Sequence, residues 1–289
     1  MRQSETADND VLCTKYITAM KRLLVLALCV VSLNTFAQDR YFGQTYTSNV
    51  LPKGAVDLEF WHTSRLGHEG QFYNAQDQRL EFELGLGKGL QTSFYFNKYF
   101  TRFSTGADDT ETKNEIGFSS EWKYKMSDPV ANKLGSALYA EIGLKGGDEI
   151  EIETKIILDK WFGKGKKNII AFNGTVEFEK EFEWADNKVN SNGWATPIEV
   201  NLAYQHLIKP NFGLGFEIVN RNDVEKGNGW MNSIFYAGPT LNFRGGKYFV
   251  ILNYMPQIGN IHKTDFSPSG MVLDSHERHE VRVLFGISL

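Results

Sequence analysis

Long stretches of this 289-residue chain alternate apolar and polar residues one for one. The clearest runs from Arg79 to Leu86. Leu80, Phe82, Leu84 and Leu86 are apolar, and Arg79, Glu81, Glu83 and Gly85 stand between them. A β-strand sends successive side chains to opposite faces, so such a strand has one apolar and one charged face. Glu149 to Asp159 places Ile150, Ile152, Ile156 and Leu158 on one face and Glu151, Glu153 and Lys155 on the other. Val281 to Leu289 repeats the pattern at the C-terminus. A soluble sandwich or calyx shares this alternation, with its apolar face inward. Here the runs exceed the roughly five or six residues usual in globular strands. Aromatic residues, among them Trp61, Tyr99, Trp122, Trp161, Trp184 and Tyr248, also gather near their ends, as in interfacial girdles. The fold expected is all-β: a transmembrane antiparallel up-and-down β-barrel with an apolar outside and a polar lumen.

Reading the runs as strands gives about twelve, each placed to within a few residues: 55–64, 77–87, 89–98, 113–125, 136–146, 149–161, 167–181, 195–207, 211–221, 232–244, 246–256 and 278–289. Gly87-Lys88-Gly89, Lys209-Pro210-Asn211 and Gly245-Gly246 are tight turns. Regions 65–76, 99–112, 182–194, 222–231 and 257–277 are long and polar. Outer-membrane barrels have short periplasmic turns and longer external loops. An even strand count then leaves both ends of the barrel in the periplasm. The last strand ends in Leu289 and carries the alternate apolar residues that the outer-membrane assembly machinery reads.

The N-terminus completes the localisation argument. From Met20 the chain has Lys21-Arg22, the apolar stretch Leu23 to Val31, and Ala37 before Gln38. That is the anatomy of a cleaved signal peptide, too short for the ~20 residues of a spanning helix. Residues 1–19 have no signal character and read as a misassigned extension. The expected organisation is an extension at 1–19, a signal peptide at 20–37, a periplasmic segment at 38–54 and a barrel at 55–289. Leu28 before Cys29 argues against lipidation. Cys13 and Cys29 both precede the cut, so the mature chain would hold no disulfide. The net charge of −4 argues against a nucleic-acid partner.

Tyr46-Thr47, Leu51-Pro52-Lys53-Gly54, Asp57-Leu58-Glu59-Phe60-Trp61, Asp77 to Glu81 and Leu90 to Tyr95 resemble the start of an uncharacterised family of bacterial outer-membrane barrels. That family is similar to the outer-membrane proteins named for the MetA pathway of phenol degradation. The resemblance covers about the first third of the mature chain. It implies the barrel fold and a bacterial outer-membrane location, and brings no catalytic residues.

The chemistry on offer is mostly inward. By parity Glu81, Glu83, Glu151 and Glu153 face the lumen, with Arg79 and Lys155 as basic partners. These six are the expected binding or selectivity residues. Rings of charge select ions by sign. The leading expectation is a passive channel or transporter for small solutes with an acidic lumen. The alternative is a non-conducting envelope-structural or surface-binding barrel. A more distant one is a lipid hydrolase using His62 as base and Ser64 as nucleophile, with Asn74 or Gln76 orienting the imidazole. His262, Asp265, His276, Glu277 and His279 lack a recognised metal-ligand spacing, and no Gly-rich phosphate loop opens a helix. No enzyme activity, metal or cofactor is expected; the partners are outer-membrane lipid and a small solute.

Overall fold

Each alternating run forms a strand paired with its neighbours in sequence. In the computed structural model, which describes residues 40–289 apart from 105–108, 186–187, 192–193, 266 and 268–269, the strands are β1 (Val56–Leu66), β2 (Tyr73–Gly87), β3 (Leu90–Ser104), β4 (Thr110–Ser127), β5 (Gly135–Lys145) and β6 (Glu149–Phe162). They continue as β7 (Asn168–Ala185), β8 (Ile198–Lys209), β9 (Phe212–Asn222), β10 (Ile234–Gly245), β11 (Tyr248–Asn260) and β12 (His279–Ser288). All neighbours are antiparallel, and β1 closes on β12 in the register Asp57↔Ser288 to Leu66↔His279. Closure leaves no unpaired edge. The Leu289 N–H donates to the Val56 carbonyl at 3.0 Å, so both ends of the barrel meet at the short-turn end. The expected signal peptide, its cut site and both Cys residues lie outside the described residues.

The face assignment follows period two. Phe82 is 42% exposed, while Glu81 and Glu83 on the same strand are 0% exposed. Ile116 on β4 is 66% exposed on the outer wall. A one-residue slip would exchange these faces, which fixes the register. The β2–β3 turn needs three successive positive φ angles, 87°, 54° and 80° at Gly87, Lys88 and Gly89. Glycine at its first and third positions meets that need without strain.

Several expectations are corrected. Strands β2, β3 and β4 run further toward the long loops than their apolar periodicity suggests, so much of 65–76 and 99–112 is a strand-paired extension. Polar residues on both faces of these extensions hide the period. The 222–231 loop folds back as a small ribbon, Val224–Glu225 against Gly229–Trp230. Trp61, expected in the aromatic girdle, shares the parity of Glu59 and is only 6% exposed, inside the lumen. Tyr99 lines a lumen cavity. Trp161 packs edge-on against Tyr41 at 4.9 Å between centroids. Trp122, Tyr124, Phe243 and Tyr248 are exposed on the outer wall, as a girdle requires, while Trp230 is exposed on the loop ribbon.

The largest correction concerns residues 40–51. They were expected in a periplasmic segment, yet Arg40, Phe42, Thr45, Tyr46, Ser48 and Leu51 are buried against the inner wall. The lumen around them is not uniformly polar. Phe42 packs with Ile169, Ala171 and Ala203, and Tyr46 joins a cluster of Trp61, Tyr139, Phe249 and Leu284. Inward apolar residues at the short-turn end thus make a small core between barrel wall and N-terminal segment.

Candidate functional site

Residues 40–51 form no strand, so their backbone N–H and C=O groups need partners elsewhere. Wall side chains supply them. Glu217, at mid-strand on β9, accepts the N–H groups of Gly43, Gln44 and Thr45 at 2.7, 2.9 and 2.9 Å, and the Thr45 hydroxyl at 3.0 Å. Asn173 on β7 accepts the Tyr46 N–H at 2.7 Å and donates to its carbonyl at 3.0 Å. The Arg282 guanidinium donates to the Gly43 carbonyl at 2.8 Å, and Asn242 to the Tyr41 carbonyl at 3.1 Å. Leu51 donates to Gln91 on β3 at 2.7 Å. A Cβ on residue 43 would lie 2.5 Å from the Cβ of Asn253, so glycine permits the close approach to β11. Tyr41 and Leu51 touch the short-turn end, while Gln44 and Tyr46 face mid-strand positions. The segment is therefore a loop inserted from that end.

Below it lies a buried acidic group. Asp57 and Glu59 on β1 stand directly opposite Glu83 and Glu81 on β2. Like charges opposite one another destabilise a sheet, and a buried charge needs a partner. Arg40 answers both needs. Its guanidinium lies 3.7 Å from Glu59 and from Glu81, and 3.7 and 4.5 Å from the rings of Tyr46 and Trp61. Trp61 donates to Glu59 at 3.0 Å and Gln91 to Glu83 at 3.0 Å.

The acids continue around the wall. Register pairs link Asp57, Glu83, Ser93, Glu121, Glu141, Glu153 and Glu177 in one row across β1 to β7. The next row is Glu59, Glu81, Tyr95, Ser119, Gly143, Glu151 and Glu179. Barrel strands tilt, so such rows climb. Asp57 is one residue from the short-turn end of β1, and Glu177 is midway along β7.

The upper ends of both rows line a cavity of about 470 Å³ beneath the long loops, floored by Gln44 and Tyr46. Its wall is divided. Glu141, Glu151, Glu153, Glu177 and Glu179 occupy β5 to β7, while Arg65, Arg79, Arg221 and Arg282 come from β1, β2, β9 and β12. Carboxylates outnumber fixed cations in the lining by nine to five. The arginines are largely matched: Arg221 contacts Glu199, Glu277 and Glu280 at 3.0 to 3.1 Å, and Arg65 contacts Asp77. The surplus therefore sits on β6 and β7, where Glu149, Glu151 and Glu179 bring carboxylate oxygens within 4.8 Å of one another. Above the strands, Asp223 sits 3.1 Å from His276. Burial disfavours its ionised form, but the bonds from His276 and Asn232 outweigh this and hold its carboxyl below the usual range.

The six residues singled out from sequence thus separate by depth. Glu81 and Glu83 lie under the N-terminal segment. Glu151, Glu153, Arg79 and Lys155 line the upper cavity. Lys155 is 3.0 Å from Glu153 and 4.1 Å from the Tyr46 ring, and Arg79 is 3.6 Å from Glu141. Parity alone places Glu217 in the lumen, but sequence reasoning missed its role and those of Asn173, Asn242 and Arg40, whose importance comes from the inserted segment. A signal for that segment existed. Ile156-Ile157-Leu158 and Ile169-Ile170-Ala171-Phe172 are apolar on both faces, which a water-filled lumen does not require.

The alternative site chemistries resolve differently. His62 Nε2 lies 3.0 Å from Ser64 Oγ on the outer wall. Among the described contacts, neither Asn74 nor Gln76 bonds to His62. The loop histidines do not converge on a metal geometry: His276 pairs with Asp223, His279 with Tyr254 at 2.9 Å, and His262 stacks on Trp230 at 4.0 Å.

Residues 34–289 match the family of unknown function DUF6662. No curated protein matches the chain. Among solved structures, the chain is similar to an outer membrane channel from Pseudomonas putida F1, with a TM-score of 0.60, 11% identity, and 84% of this chain and 98% of that one covered. It is also similar to the β domain of the Bordetella autotransporter BrkA (TM-score 0.55, 10% identity, 82% and 100% covered). A third is the translocator domain of the autotransporter NalP from Neisseria meningitidis (TM-score 0.55, 9% identity, 98% and 99% covered). At these identities the likeness is one of fold, that of the outer-membrane barrel.

Proposed function

The chain belongs to the family of unknown function DUF6662, and we propose that it is a bacterial outer-membrane channel for small cationic solutes, closed at rest by residues 40–51. The observation that carries this reading is the carboxylate-rich cavity that opens beneath the long loops and ends on Gln44 and Tyr46. The exposed apolar wall supports a lipid surround, since a soluble monomer rarely exposes so continuous a patch. In that setting the short turns and both barrel ends lie in the periplasm and the long loops outside. An acidic wall in a low-dielectric surround focuses its field and raises the local cation concentration.

The inserted segment acts as a plug rather than as wall. It contributes no strand to the ladder, which closes from Val56 to Ser288 without it. Twelve strands enclose more space than the eight that side chains alone fill, so removing the plug opens a passage without breaching the barrel. The resemblance to barrels of the MetA pathway supports the same class and names no solute. A second reading, a non-conducting surface-binding barrel, is favoured by the many hydrogen bonds that hold the plug.

Planar-bilayer recording under a salt gradient tests the choice. The protein lacking residues 40–51 should conduct several-fold more than the full protein and prefer cations. Changing Glu151, Glu153, Glu177 and Glu179 to Gln should reduce that preference. Anion preference would refute the acidic-channel reading, and silence from the plug-less barrel would favour the second reading.

A further inference from the structure

Where the apolar belt of the outer wall ends, the strands do not behave alike. On β5, β6, β8 and β10 the outward residue nearest the long-loop end remains apolar: Leu144, Ile150, Ile198 and Phe235. On β1 to β4 the continuous belt stops earlier, at Phe60, Leu80, Phe96 and Ile116, and the outward residues beyond it are polar apart from Leu66 and Phe100. Register places His62 opposite Gln78 and Gln78 opposite Lys98. Two residues further out, Ser64, Gln76, Phe100 and Asn114 form the next row. Beyond them Leu66, Asn74, Arg102 and Thr112 form the last row. These outward rows contain two fixed cations and no carboxylate. The acids of the same strands, Asp77, Glu111 and Glu115, have the opposite parity.

We propose that this patch on β1 to β4 binds the phosphorylated headgroup of an outer-leaflet lipid, with Lys98 and Arg102 contacting its phosphate. The inference rests on the membrane orientation given above and is independent of conduction. Lys98 and Arg102 are both exposed. Arg102 bonds to neutral Thr110 at 3.3 and 3.2 Å and lies 5.8 Å from the Phe72 ring, and among the described residues these contacts include no carboxylate. An ammonium and a guanidinium four residues apart on one strand face, about 13 Å along the strand with Phe100 between them, can reach toward one phosphorylated headgroup, whose phosphate takes several charge-assisted bonds. Gln76, Gln78 and Asn114 offer amides to sugar hydroxyls beside it.

Just inside the belt, Phe94, Phe96 and Phe118 are exposed, and Phe96 and Phe118 pack edge to face at 4.9 Å. An amphiphile held by its phosphate would lay acyl chains along this aromatic surface. Head and tail are thus matched in the order that the membrane imposes. His62 and Ser64, bonded to each other, complete the polar rim.

The test uses the folded barrel in detergent micelles and native mass spectrometry. The probes are diphosphorylated lipid A and the same lipid with both phosphates removed. The phosphorylated form should bind about tenfold tighter or more, the effect of one or two charge-assisted contacts. Lys98→Gln with Arg102→Gln should erase the difference. Lys180→Gln, which removes an outward cation on β7 over Phe182, should preserve it. Inorganic phosphate in excess should not displace the lipid. Equal affinity for both lipids in the unaltered protein, which needs no variant, would overturn the proposal. So would full binding by the folded double variant, or displacement by free phosphate, which would mark a plain anion site.

Discussion

The carboxylate of Glu217 on β9 accepts the backbone N–H of Gln44 at 2.9 Å, from the middle of the barrel wall to the apex of the inserted segment. The same side chain takes the N–H groups on either side of Gln44. One acid thus satisfies three buried donors that no strand partner serves.

Loss of that acceptor should release the plug. Glu217→Ala removes charge-assisted bonds worth about 1.5–3 kcal/mol in total if they behave as a single anchor. That corresponds to roughly 10–100-fold in the closed-to-open equilibrium. Single-channel recording should show more frequent openings, and trypsin should cut after Arg40 sooner. Glu217→Gln, which keeps one acceptor oxygen, should fall between. Openings unchanged in the alanine variant would argue that the plug is anchored elsewhere.

Gly43→Val should act through shape instead of charge. The added carbons collide with Asn253 on β11, where even a Cβ sits 2.5 Å away. Overpacking of this kind costs about 1–3 kcal/mol. Because the plug is not part of the wall, barrel unfolding should change little while conductance rises. A variant that conducts like the unaltered protein would show that the loop relaxes around the clash.

The two faces of β2 should respond oppositely to charge. Phe82→Arg puts a cation on the lipid-facing wall and should cost about 2–4 kcal/mol near mid-membrane. Glu83→Gln relieves repulsion from Asp57 directly opposite and should stay within about 1 kcal/mol of the unaltered protein. Urea unfolding in lipid vesicles measures both. Equal losses would contradict the face assignment.

Acid should weaken the short turn between β4 and β5. Asp128 bonds to Lys125 at 2.7 Å and accepts the Val130 and Ala131 N–H groups. The Lys125 bond, followed by these backbone bonds, holds its pKa at about 2 against burial. The folded value is depressed, so the stabilisation is complete above the unfolded carboxylate pKa of about 3.9 and lost as pH falls toward 2. Asp128 is 43% exposed, so the effect is small. Asp128→Asn should destabilise slightly at pH 7 and not at pH 2, as read by paired unfolding curves. A gap that persists at pH 2 would assign the effect to something other than ionisation.

Processing should leave the plug near the new N-terminus. Cleavage after Ala37 would start the mature chain at Gln38, two residues before Arg40. Sequencing of the envelope protein should read Gln38 first. Retention of Met1, or an acylated Cys29, would refute the signal-peptide assignment.

The sequence by itself determined the barrel and its two faces. Strict alternation in Arg79 to Leu86 or Val281 to Leu289 leaves one register that buries charge and exposes hydrocarbon. That information is local, written every second residue. It was weakest where polar residues fill both faces, as in Tyr73 to Gln78 and Lys98 to Ser104, and there the strands proved longer than their apolar pattern. The tertiary structure alone decided what the lumen contains. Residues 40–51 carry no strand period, because their partners are side chains far along the chain: Glu217 lies 174 residues from Gly43 and Asn173 lies 127 from Tyr46. Closure of the barrel also decided which carboxylates share a depth. Glu81 and Glu151 belong to one register row, yet the tilt of the strands buries the first under Arg40 and opens the second to the upper cavity.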